Sequence, residues 1–170
     1  MSDRPRVEWP TLFLIVLCYA VWAIGISWLS ALWLPLGLLV TIPAITLHSS
    51  LQHEVLHGHP TPIRWLNEAF MLLPVGLMFP YGRFRDTHLA HHQDEFLTDP
   101  YDDPESNFHD PAVWAQLSAM RRAVLTVNNS LAGRMLIGPL MGGLCFVAAD
   151  MRAIVRGDRA ILRDWLIHLV

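Results

Sequence analysis

The stretch that decides the fold runs from Trp9 to Leu47, WPTLFLIVLCYAVWAIGISWLSALWLPLGLLVTIPAITL: 39 residues without one Asp, Glu, Lys or Arg. As continuous helix it would measure about 58 Å at roughly 1.5 Å per residue. The hydrocarbon core of a bilayer is about 30 Å thick, so the run holds two spans and is too long for one. The segment Trp28–Pro35, WLSALWLP, marks the turn, because Pro disrupts a helix interior and Trp favours the membrane interface. One helix is therefore predicted over residues 11–29 and a second over residues 32–52. A cleaved signal peptide would have a shorter apolar run closed by an A-x-A site, and neither follows Arg4 and Arg6. The basic N-terminus then stays cytoplasmic, and a two-span hairpin returns the chain to the same side.

The composition agrees. Of the 170 residues 53% are hydrophobic and only 16% charged, against about 25% charged in an ordinary soluble domain, so most of the surface does not face water. Twelve Arg, no Lys and fifteen acids leave a net charge of −3. That gives no basic excess to neutralise a phosphate backbone, which argues against nucleic acid as a partner. Cys18 and Cys145 both lie in apolar stretches, so no disulfide framework is expected. The length suits a single domain over 1–170.

Further along, residues 66–80 are apolar but too short and too interrupted by Glu68 and proline to span, and read as interfacial or re-entrant. Residues 112–126 read as one helix behind Pro111, with Arg121 and Arg122 on its wet side. Residues 135–149 open a third span, and Trp165–Val170 begins another apolar segment. Six residues cannot span, so the chain reads as cut short at its C-terminus. The expected fold is all-α: an integral membrane protein with a transmembrane hairpin, then cytoplasmic histidine-bearing helices, then the start of a second hairpin.

Six of the nine histidines fall in two groups, His53, His57 and His59 in HEVLHGH and His88, His91 and His92 in HLAHH. Helix positions three and four apart share a face, so His53 pairs with His57, and His88 with His91 and His92. Neutral imidazole is the commonest protein metal ligand. Five imidazoles exceed what one tetrahedral zinc requires, and suit a nitrogen-rich site with more than one metal, for which iron is compatible. His48, His109 and His168 are isolated and read as structural, while His59 lies off the spacing of its group. A rival reading comes from His53-Glu54-Val55-Leu56-His57, which matches H-E-x-x-H, the zinc-protease pattern with Glu as general base. The extended protease form is absent, and HLAHH some thirty residues on has no use in a protease.

These residues resemble the membrane-bound fatty acid desaturases, which share histidine boxes with alkane and carotenoid hydroxylases. His53–His57 is similar to the family's first box, H-x-x-x-H after a membrane hairpin, and His88-Leu89-Ala90-His91-His92 to its second, H-x-x-H-H. The flanks SLQHEVLHGHPT and PYGRFRDTHLAHHQDEFLTDPYDDPES look like a bacterial branch. The third box, another H-x-x-H-H, is missing, so the chain is expected to be an N-terminal portion or a non-catalytic remnant.

The resemblance implies an oxygen-dependent oxidoreductase of lipid metabolism in a bacterial inner membrane, its boxes on the cytoplasmic side. In the complete enzyme two iron ions would be held by about eight histidines, of which this sequence provides five, His53, His57, His88, His91 and His92, with O2 as co-substrate and a fatty acyl chain as substrate. Electrons would come from an external ferredoxin, rubredoxin or cytochrome-type donor, and no catalytic side chain is expected beyond the metal ligands. Asp86, Asp94, Glu95 and Asp99 are candidate acceptors for imidazole N–H groups, which fix ring orientation. The Asp-Pro pairs, Asp103-Pro104 among them, read as turns. Arg83 and Arg85 are expected to meet anionic lipid. Trp22, Trp28, Trp33, Met71 and Met78 are candidates for an acyl tunnel, with lipid-facing or core packing as the default.

Overall fold

The computed structural model describes residues 7–169 apart from Leu77, Asp94, Leu97 and Asn107, so Arg4, Arg6 and Asp94 of the sequence reading lie outside the described residues. The described residues are helical or irregular, with no strand among them. Three of their helical stretches are long and apolar enough to cross a membrane: Trp9–Leu32, Leu34–Leu56 and Gly138–Val155. The molecule is an all-α integral membrane protein. Its chain forms two compact units, Met1–Arg85 with Asp164–Val170, and Asp86–Arg163.

In the first unit, α1 (Trp9–Ile24) widens into a π-helical turn over Gly25–Leu29 and closes with α2 (Ser30–Leu32). Trp33 then takes an extended conformation, φ −163° and ψ 113°, and α3 (Leu34–Leu56) starts with Pro35 in its first turn, where a missing N–H costs nothing. The turn falls within the predicted WLSALWLP. The first helical stretch, Trp9–Leu32, outruns its predicted bounds at both ends, while α3 starts two residues later than predicted and ends four later, which carries His53 onto its last turn.

The hairpin closes through small residues. The buried positions of α3 are Gly37, Thr41, Ala44, His48, Leu51 and Val55, alternating by four and three as in a coiled-coil seam. Opposite them lie Ile15, Cys18 and Gly25. A Cβ on Gly25 would sit 2.4 Å from Thr41 Oγ1, and one on Gly37 2.0 Å from Ser30 Oγ and 2.7 Å from its Cα. In lipid, where burial of apolar surface supplies no drive between helices, such close backbone approach is what packing rests on. Polar groups freed along the way find partners: the Cys18 thiol donates to the Ala44 carbonyl at 3.2 Å, and the Ser30 hydroxyl to Gly25 O at 2.7 Å across the π turn. Both cysteines are free.

After α3 comes α4 (Arg64–Phe70), and the described residues between 71 and 80 are irregular. This stretch does not span. It is pinned to the hairpin: Met71 packs with Ile15, Cys18 and Leu51, and the Tyr19 hydroxyl donates to the Phe70 carbonyl while accepting from His48 Nε2–H at 3.1 Å. Asn67, also buried, ties the preceding turn by accepting from Thr61 N–H at 3.0 Å and donating to Thr61 O at 2.7 Å. Helix α5 (Tyr81–Gln93) follows.

In the second unit, the single helix expected behind Pro111 is two, α6 (Pro111–Gln116) and α7 (Ala119–Asn128). Asp110 caps the first, and Ser118, in an extended conformation, caps the second by accepting from Arg121 N–H. A side chain that satisfies an orphan helix N–H favours such a break over continuation. Next come α8 (Leu131–Leu136), α9 (Gly138–Val155) and α10 (Arg159–His168). The expected third apolar helix therefore starts at Gly138 and runs on past Asp150 and Arg152.

Candidate metal centre

His53 sits in the last turn of α3 and His57 is its C-cap, with ring centroids 4.8 Å apart. The helix stops directly after them because Gly58 adopts φ +95°. Its N–H bonds to Val55 O at 3.0 Å, and His59 N–H reaches back to Glu54 O at 3.3 Å. That pair of bonds is a Schellman cap, which needs a left-handed residue after the C-cap, a conformation glycine adopts without strain. The cap explains why His59 is off the spacing. It is turned away from the helix face, and its Nδ1–H donates to Glu8 Oε1 at 2.6 Å. Glu54, the would-be protease base, is exposed.

The second group lies on α5. The ring centroids of His88 and His92 are 4.6 Å apart, those of His88 and His91 5.9 Å, and those of His91 and His92 5.8 Å. The Nε2 atoms of His88 and His92 face each other at 3.0 Å. Two imidazole nitrogens bound about 2.1 Å from one metal ion would be about 3.0 Å apart at a right angle and about 3.4 Å apart at a tetrahedral one. The observed separation is close enough for the two rings to share one ion, and imidazole suits zinc, copper, iron and nickel alike.

Two carboxylates hold the far sides of these rings. His91 Nδ1–H donates to Asp103 Oδ1 at 2.8 Å, and His88 Nδ1–H to Glu105 Oε1 at 3.0 Å. A carboxylate can only accept, so each ring carries its proton on Nδ1 and offers Nε2 as the lone-pair nitrogen. Asp103 also organises the loop that delivers both acids. Its Oδ2 accepts from Thr98 N–H at 2.9 Å, and its Oδ1 from Glu105 N–H at 2.8 Å. Thr98 is the one non-glycine among the described residues with positive φ, 76°. The Asp103 side chain is only 2% exposed. Burial pushes its carboxyl pKa up, but the Thr98 and Glu105 N–H groups and His91 more than offset this and hold it below the usual carboxylate range.

These two acids were missed in the sequence. Asp103 read as half of a turn dipeptide, and the turn is real, but its side chain points inward. Of the acids singled out instead, Asp99 accepts from the N–H groups of Tyr101 and Asp102, while Asp86 and Glu95 are exposed. Arg85, expected at lipid, pairs with Glu68 at 3.1 Å, and Glu68 also takes Arg64 at 2.9 Å. Of the isolated histidines, His48 lies edge-on to Tyr19, exposed His109 edge-on to Trp114, and buried His168 edge-on to Trp165. Trp28 and Trp33 are exposed while Met71 is core.

A hydrophobic hairpin and two histidine groups at helix ends give a membrane protein with a candidate metal centre. The sequence profile described as fatty acid desaturase matches residues 27–170, and the chain belongs to that family. Its members are lipid-modifying oxidoreductases that generally use a di-iron centre. No curated protein and no solved structure matches.

Proposed function

We propose that this protein is an oxygen-dependent di-iron oxidoreductase that introduces a double bond into a fatty acyl chain. Family membership supports the reaction class. The observation that carries the site is the second histidine group, where carboxylates hold Nδ1 of His88 and His91 and leave their Nε2 atoms for metal. His53, His57, His88, His91 and His92 are the proposed ligands. Bound iron would supply the activation of O2 needed to remove hydrogen from an unactivated methylene, chemistry no side chain can perform.

The chain's own groups do the rest. Asp103 and Glu105 fix the tautomer and direction of two rings. The apolar hairpin keeps the acyl chain in lipid, and an external ferredoxin, rubredoxin or cytochrome-type protein delivers electrons. The cytoplasmic side for both boxes rests on the basic N-terminus followed by two spans, and a bacterial inner membrane on the resemblance of the flanking sequences to a bacterial branch of the family.

The test is to express the complete protein, together with any sequence that follows Val170, in a membrane host with a reductant system, then measure iron per chain and the unsaturation of extracted acyl lipids. Iron near two per chain with a new double bond is expected, and both are lost in His91→Ala. Normal unsaturated product from His91→Ala would remove it from the ligand set, and a hydroxylated product would place the enzyme with the family's hydroxylases.

A further inference from the structure

Charge is divided unevenly along this chain. From Leu117 onward there are seven Arg and three acids, 7 − 3 = +4, while the whole chain carries −3. The helices holding those arginines present apolar side chains outward. On α9 the exposed residues Leu140, Leu144, Met151 and Val155 follow at intervals of four, seven and four, which is one face of a helix. Leu140 is 62% and Val155 87% exposed, while Gly143 and Asp150, about a quarter of the way round the helix, are buried. The apolar stripe does not stop where the charges begin. It continues past Asp150, with Arg152 and Arg156 on its flank.

A crossing helix would look different. The charge-free run around the start of α9 is residues 135–149, about 22 Å at roughly 1.5 Å per residue, well short of the hydrocarbon core of about 30 Å. Crossing would also leave Arg121, Arg122 and Arg134 on one side and send Arg152, Arg156, Arg159 and Arg163 to the other, with no bias toward either leaflet. Positively charged segments next to apolar helices gather on one side. Over its C-terminal half, where the apolar stripe runs on beside Asp150, Arg152 and Arg156, α9 has the pattern of a helix lying in the interface plane.

We propose that α7 and α9 lie in the plane of an anionic leaflet and that α9 does not cross it. The Leu140–Val155 stripe sinks to the acyl boundary, and the arginines take lipid phosphates. On α7, exposed Met120, Val124 and Val127 repeat the pattern beside Arg121 and Arg122. The Schellman cap at Gly157, φ +100°, then turns the chain so that Arg159 and Arg163 stay at the same surface. The partner is therefore a lipid surface rich in anionic headgroups. This holds whatever reaction the protein catalyses.

The test uses the full chain in sealed vesicles, with Cys145→Ala removing the exposed thiol and buried Cys18 left in place. Single cysteines at Ala132→Cys and Ala160→Cys, both exposed, are treated with a membrane-impermeant maleimide. Both labelled from one side is the expected result, and labelling from opposite sides overturns the proposal. Fluorophores on Leu144→Cys and Val155→Cys are then quenched by lipids spin-labelled near the headgroup or deep in the chain. In-plane helices give equal, shallow quenching at both sites, whereas a crossing helix separates them by about 16 Å of depth. No quenching at either site puts the face in water or against a protein, and also overturns the proposal. Finally, Arg152→Gln with Arg156→Gln should weaken lipid association of the segment by about 25-fold in vesicles with anionic lipid, at about fivefold per arginine, and leave it unchanged in neutral vesicles. Equal quenching of the parent chain in anionic and neutral vesicles rejects the anionic partner.

Discussion

Replacing Asp103 by Ala removes more than one contact. The carboxylate accepts from His91 Nδ1–H, from Thr98 N–H and from Glu105 N–H, so its loss frees the His91 ring and loosens the loop that sets Glu105 against His88. Removing the partner of a single metal-ligating histidine typically costs about 10–100-fold in metal affinity. Because Asp103 acts on one ring directly and on a second through Glu105, the expected loss for Asp103→Ala is near the upper end, about 100-fold. Glu105→Gln keeps a carbonyl oxygen for His88 and should stay near the lower end, about 10-fold. Asp103→Asn keeps one accepting oxygen but not two, so it should fall between them. The assay is competition between the purified protein in lipid nanodiscs and a chelator, with Co(II) as a spectroscopic stand-in for iron and its visible bands reporting ligand geometry. A purely structural role would lower thermal stability in the metal-free protein while leaving affinity per folded molecule intact. Affinity unchanged in Asp103→Ala, with the protein folded, would refute the reasoning.

Three other outcomes are expected. Gly37→Ala should destabilise the hairpin by about 1–3 kcal/mol, as overpacking does, because the new methyl meets Ser30 backbone at 2.7 Å; Gly142→Ala, with open space around its Cβ, should instead stabilise α9 by about 0.5–1 kcal/mol, and thermal melts in one detergent compare the two. Tyr19→Phe leaves the Phe70 carbonyl and the His48 N–H without the hydroxyl between them, which should cost about 1–3 kcal/mol for each group left unsatisfied, read as a lower melting temperature and faster proteolysis of residues 71–80. Glu54→Gln should keep metal content and lipid product, since Glu54 is an exposed residue beside the ligands and not a base; loss of a peptidase activity in that variant, with zinc bound, would restore the protease reading.

The parts of the fold visible in the sequence were those written as long patterns. A run of 39 residues without charge can only be a hairpin, and Pro35 and Trp33 located its turn closely. The spacings of HEVLH and HLAHH put His53 beside His57, and His88 beside His91 and His92, because helix geometry makes i, i+3 and i, i+4 neighbours. Helix ends were less visible. α3 ran four residues beyond its predicted end, and residues 112–126 broke at Ser118, because both outcomes depend on caps: Gly58 in a left-handed conformation and Ser118 bonding Arg121 N–H. Each is a single residue whose effect periodicity does not register.

The carboxylates behind the histidines were hidden for a different reason. Proximity in sequence favoured Asp94 and Glu95, within three residues of His92, but the direction of a loop is set by its closure. Thr98 at positive φ and the bonds from Thr98 and Glu105 N–H to Asp103 fold residues 98–106 back toward α5, so the acid twelve residues after His91 reaches its ring. One signal was available. Asp103 and Glu105 flank Pro104, which fixes the backbone between them, and a residue before proline is held extended. The turn around Pro104 is closed by Ser106 N–H to Asp103 O at 3.1 Å, so the two acids sit at the first and third positions of one proline turn, and DDPES offered two acceptors at a fixed separation. Read as a turn that carries two acceptors rather than as a plain connection, the same five letters would have pointed to both residues beside the second histidine group.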